Sequence, residues 1–171
     1  MIRYLSSFAL MLVLVCAGAQ AQTLSPQDAA GLNTRANAYA DAIKRKDAAT
    51  QFGLLPQPVK EAMAVGLGLD VPAARDAFVH LMDTALDGVS IERTDVIVDL
   101  TSLGTTHTGR AYVFVSAPTV AVFPDGEKLE VTGRAVAFED NDVWYLVNVE
   151  SPQQIQFLTT AYPEFEDVPF P

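Results

Sequence analysis

The sequence predicts an α+β fold, with N-terminal helices packed on a four-stranded antiparallel meander sheet and a C-terminal helix after it. Three observations predict it. Apolar residues recur at helical spacing between Ser25 and Asp87, the period changes to two from Ile91 to Val149, and Ser151 then restarts the pattern of a helix. Connections between the period-two segments are short, so neighbouring strands pair antiparallel.

The first helix starts at Ser25-Pro26-Gln27-Asp28, where Ser25 caps, Pro26 suits the first turn and Asp28 faces the positive end of the dipole. Leu32, Ala36, Tyr39, Ala40 and Ile43 form its apolar stripe. Lys44-Arg45-Lys46 closes it, either as the cationic complement of the helix end or as an anionic-surface contact. Asp47 starts a short turn that ends at Leu54-Leu55-Pro56-Gln57-Pro58. Pro58 opens a helix carrying Val59, Ala62, Met63 and Val65, which Gly66 is expected to stop. Asp70-Val71-Pro72 opens another, ended by Gly88, whose stripe of Phe78, Leu81, Met82, Ala85 and Leu86 requires a core.

Strands are expected at 91–101, 109–123, 128–140 and 142–149. Phe123-Pro124-Asp125-Gly126-Glu127 is a tight turn, because proline presets φ and glycine accepts a positive φ; Glu139-Asp140-Asn141-Asp142 makes the next. Leu129, Val131, Gly133, Ala135 and Ala137 share one face of the third strand. Val143, Tyr145, Val147 and Val149 share one face of the fourth. This alternation implies one well-buried face, with the helices as its cover. The closing helix begins at Ser151, has Gln154 at the capping-box position and is stopped by Pro163.

Residues 1–21 read as a cleaved signal peptide: Arg3, an apolar run from Phe8 to Ala17, and Ala19-Gln20-Ala21 as the cleavage pattern. The run is too short to span a bilayer, which takes roughly 20 residues. Cys16 would fit a lipidation site poorly, since Val15 precedes it. Residues 22–171 then form a single α+β domain with an acidic tail at 163–171. The expected location is periplasmic or secreted, with no stable membrane anchor after cleavage.

Of 171 residues half are hydrophobic, and the net charge of −10 becomes −11 once Arg3 leaves with the leader. The apolar fraction excludes a disordered acidic chain, and the charge argues against nucleic-acid binding. The single cysteine excludes a disulfide framework and a thiolate zinc cluster. After Arg134 come seven acids and no lysine or arginine, so the acidity gathers at the C-terminal end.

His80 is the first acid–base candidate, on a helix face it shares with Asp76, Asp83 and Asp87; the competing reading is a solvated acidic face. His107 lies in the polar loop Leu103-Gly104-Thr105-Thr106-His107-Thr108-Gly109, which either holds a ligand or simply joins two strands. The two histidines have no metal-binding spacing, and Glu139, Asp140 and Asp142 lack the rest of a calcium loop, so no metal or cofactor is expected. Trp144 and Tyr145 point to opposite faces of the last strand. If Tyr145 joins the buried face, Trp144 points outward or into a groove, as core packing or as a stacking platform. Tyr112, Phe114 and Arg134 complete the candidate ligand contacts. The chain has no G-x-S-x-G elbow, phosphate loop or dinucleotide fingerprint.

Two segments carry a family resemblance: Tyr39-Ala40-Asp41-Ala42-Ile43-Lys44-Arg45-Lys46-Asp47 in the first helix and Val143-Trp144-Tyr145-Leu146-Val147 in the last strand. With helices preceding a long bent meander, most of residues 25–150 resembles the nuclear-transport-factor-2-like superfamily, which includes the SnoaL-like and ketosteroid-isomerase-like proteins. The resemblance implies a cone whose sheet and helices enclose an apolar cavity, used for binding, for chemistry or for dimerisation. No position here matches the superfamily's catalytic acids, and the helix at 151–162 departs from its simplest members. The expectation is therefore an exported, non-catalytic binding or accessory module that holds a small apolar ligand or a protein partner. The alternatives are a cofactor-free lyase, isomerase or hydrolase with an acid–base pair in a cone-shaped pocket, and an envelope protein-interaction module docking through exposed Phe165 and Phe170. A homodimer through sheet faces is compatible with each.

Overall fold

The structure, a computed structural model, describes residues 23–171; the signal-peptide reading and Cys16 lie outside the described residues. Four helices come first: α1 (Pro26–Lys44), α2 (Ala48–Gly53), α3 (Gln57–Leu67) and α4 (Val71–Ala85). Five strands follow: β1 (Ser90–Thr94), β2 (Ile97–Thr105), β3 (Ala111–Val122), β4 (Lys128–Asp140) and β5 (Val143–Asn148). Helix α5 (Pro152–Ala161) and a 3-10 turn at Pro163–Phe165 end the chain. The fold is α+β, with a curled antiparallel sheet between helical segments.

The caps read from sequence form as hydrogen bonds. The Ser25 hydroxyl accepts from Asp28 N, Asp70 accepts from Ala73 N, and Ser151 with Gln154 makes a full capping box. Gly66 does not stop α3. It lies inside the helix, where a Cβ would sit 2.7 Å from the Phe157 ring, and Gly68 makes the stop at φ 67°. Lys46 also does more than complete α1: its ammonium donates to the carbonyls of Leu86 and Val89, tying α1 to the end of α4.

The expected first strand is broken in two. β1 and β2 both pair with β3, one after the other along the same edge. Pro118 on β3 has no N–H to give, and its carbonyl accepts from Asp95 N at 3.1 Å, so the missing donor falls at the break. Beyond it β2 bulges between Asp99 and Gly104, where the Ser102 hydroxyl accepts the Phe114 N–H in place of a backbone carbonyl. The β3–β4–β5 ladder is continuous. Its turns use Gly126 at φ 86° and the pair Asn141 and Asp142 at φ 51° and 62°, the left-handed geometry a two-residue hairpin needs.

Both sheet faces are covered, where one was expected, because β4 and β5 are apolar on alternate residues in both phases. Val136, Phe138, Val147 and Val149 pack under α3, α5 and the tail. Ala135, Ala137, Trp144 and Leu146 pack with Leu32 of α1 and with Val113 and Val115. The acidic tail is not the exposed aromatic element expected. Phe165 is fully buried, its ring 4.9 Å from that of Phe138, and Phe170 stacks edge-on against Phe114. Arg110 fastens the same segment: it donates to Glu164 Oε1 at 2.9 Å, reaches Asp140 at 3.3 Å and bonds the Glu139 carbonyl.

Candidate functional site

The first strand-face pattern read from sequence places small residues where a cleft forms. Ala117 and Gly133 stand opposite each other in the β3–β4 ladder, as do Thr119 and Val131, on the face turned toward α1. Along this face Ala135 and Ala137 pack against Leu32 and Trp144. Beyond them, at Ala117 and Gly133, the face is lined across a gap by Ile43 of α1, Met82 and Leu86. A lobe of about 370 Å³ remains. A second, smaller lobe of about 90 Å³ continues past the edge of β5, between Leu55, Val59, Met63, Phe78 and Phe157. Apart from the polar belt that joins them, the walls of both are mostly apolar.

Four polar residues line both lobes: Tyr39, Gln51, Asn148 and Gln154. The Tyr39 hydroxyl donates to Asn148 Oδ1 at 2.6 Å, which fixes the orientation of that amide. Gln154 Oε1 accepts from the N–H groups of Glu150 and Ser151 at 2.8 and 3.1 Å, so its NH₂ points away from the cap. Gln51 donates a long bond of 3.4 Å to the Ala42 carbonyl. Glu150 lies at the wall of the larger lobe and accepts from Arg134 N at 3.1 Å. Burial pushes the Tyr39 phenol up to about 12; the bond to Asn148 pulls it down, and the charge of Glu150 adds to the rise. Tyr39 is therefore a neutral hydrogen-bonding group across the physiological range.

None of the eight residues singled out from sequence lines this cleft. Tyr112 and Phe114 lie on the opposite sheet face beneath the tail, their rings 5.6 Å apart. Arg134 is exposed. Trp144 is buried at 4% exposure among Leu32, Ala135 and Leu146, the core-packing alternative rather than an outward platform, because its face of β5 is covered by α1. Its Nε1 has no partner among the described residues, and the ring also walls a separate hollow of about 320 Å³ with Gly31, Arg35 and Asp142. Tyr145 sits 4.9 Å beneath the Arg35 guanidinium. His80 and Asp83 are exposed on α4, and His107 faces Asp167 at 4.0 Å on the surface. The structure brings Tyr112 and Phe114 together and leaves the acid–base candidates apart.

The residues that form the cleft carry no motif. Two sequence signals bear on them. Asn148 is the polar residue in the otherwise apolar phase of Trp144 and Leu146, and Ala117 and Gly133 lie where a filled core wants larger side chains. Among the described residues no group of three or more His, Cys, Asp or Glu assembles to hold a metal, and no helix is long and apolar enough to cross a membrane. No family model, curated protein or solved structure matches the chain.

Proposed function

We propose that the protein is a non-catalytic binding module that holds a small apolar ligand in the cleft between α1, α4 and the sheet. One observation carries the reading: two apolar lobes meet at a belt of hydrogen-bonding side chains, the composition of a small-molecule site. Filling such walls with ligand removes apolar surface from water, at roughly 25 cal/mol per Å². Export through the leader at 1–21 and the cone architecture of the nuclear-transport-factor-2-like superfamily belong to the same reading, with the periplasm or the exterior as the place of work.

The test uses the neutral dye N-phenyl-1-naphthylamine. Its fluorescence is expected to rise saturably with wild-type protein and to fail to do so with Ala121→Phe, which fills the mouth, while circular dichroism stays unchanged. A wild-type protein that leaves the dye dark, or a filled variant that binds it equally well, would sink the reading. One observation favours a second reading, a cofactor-free lyase, isomerase or hydrolase: Glu150 puts a carboxylate on the cleft wall. It predicts that a bound ligand is consumed and that Glu150→Gln stops the consumption. Ligand recovered intact from the wild-type protein removes it.

A further inference from the structure

Resting on the ligand-binding reading, we infer that the cleft selects an uncharged amphiphile with a carboxamide head over a carboxylate carried on the same apolar body. The free hydrogen-bonding positions of the belt determine this. Asn148 spends Oδ1 on the Tyr39 hydroxyl, which leaves its NH₂ to donate. Gln154 spends Oε1 on the capping box, which leaves its NH₂ to donate as well. Gln51 holds one N–H on the Ala42 carbonyl, which turns Oε1 away from that carbonyl as an acceptor. Side-chain amide donors beside a side-chain amide acceptor match the carbonyl and the N–H of an amide head.

Charge points the same way. Among the described residues lining the two lobes Glu150 is the one charged side chain, and no lysine, arginine or histidine is with it. Lys46, at the end of α1, is committed to the carbonyls of Leu86 and Val89. An anionic head in the cleft would lose its water, meet the Glu150 carboxylate and find no cation. A neutral amide meets none of these penalties. Because both amide donors are held by bonds to neighbouring groups, they are set before the ligand arrives.

The experiment displaces N-phenyl-1-naphthylamine at pH 8 with decanamide, decanoate and decylammonium, each below its aggregation limit. It uses the full chain and two variants. In Gln154→Glu the capping acceptor is kept and the free NH₂ becomes an oxygen, and in Glu150→Gln the charge is removed. Decanamide is expected to compete about tenfold or more better than decanoate with wild type. Glu150→Gln should narrow that gap by strengthening decanoate, and Gln154→Glu should weaken decanamide while α5 helicity is retained. Decanoate binding as well as decanamide overturns the inference and leaves the binding module standing. Decylammonium binding tightest overturns it too, since Glu150 alone would then choose the head, as does a Gln154→Glu protein that holds decanamide undiminished. A wild-type protein that never takes up the dye overturns both.

Discussion

The Tyr39 hydroxyl stands where the two lobes of the cleft meet, and its ionisation sets an upper pH limit on this part of the fold. In the unfolded chain the phenol titrates at 10, and in the folded one at about 12, because burial disfavours the phenolate. The folded state therefore holds its proton more tightly. Its contribution to stability is whole below pH 10 and is lost as the pH climbs from 10 to about 12. Urea midpoints measured at pH 8, 10 and 11.5 are expected to fall across that interval, and to fall less in Tyr39→Phe. Tyr162, raised by burial and by the Asp140 carboxylate it bonds at 2.9 Å, accounts for a remaining decline. At pH 8 the Tyr39→Phe change should itself cost about 1–2 kcal/mol, since Asn148 Oδ1 loses its donor. Equal declines in the two proteins would contradict the placement of this proton. At this scale sequence reasoning missed the site: Tyr39 is one stripe residue among five, and its partner lies 109 positions away.

Elements were the most legible scale, because caps, turn glycines and periodicity act over a few residues. Ser25, Asp70, Ser151, Gly126 and Asn141 do in the structure what their chemistry dictates. The two failures have different causes. Gly66 and Gly68 are equally plausible stops by residue type; the tight packing of Gly66 against Phe157 is tertiary, and only Gly68 adopts φ 67°. The break between β1 and β2 was visible in principle, since a proline inside a central strand removes a donor on one side. Two alanine substitutions separate the glycine roles. Gly68→Ala should cost about 1 kcal/mol or more for its left-handed backbone, whereas Gly53→Ala, with no atom within 4 Å of its Cβ, should gain from a few tenths to about 1 kcal/mol. Thermal melts of the two variants check this; a shift in the same direction for both would refute the assignment.

At the scale of the whole molecule the tail is the correction with the widest consequence. Acidic and aromatic residues near the end of a chain suggest a solvated docking element, yet here Glu164 pairs with Arg110 and the rings enter the core. Phe165→Ala should destabilise the fold by about 3–5 kcal/mol, read as a lowered urea midpoint with the slope preserved. An unchanged midpoint would return the tail to the surface. The same scale decides the cleft. Its walls come from α1, α2, α4, α5 and four of the strands, and its volume exists because small residues from distant positions face the same gap. Local chemistry along the chain is enough for the kind and order of the elements, the polar caps and turns that end them, and the acidity of the C-terminal end. Packing between distant segments is what covers both sheet faces, puts Trp144 and Phe165 in the interior and gathers Tyr39, Gln51, Asn148 and Gln154 into one belt. The reason is physical: capping and period are local preferences of a short stretch of backbone, whereas a cavity is a volume that no one element encloses.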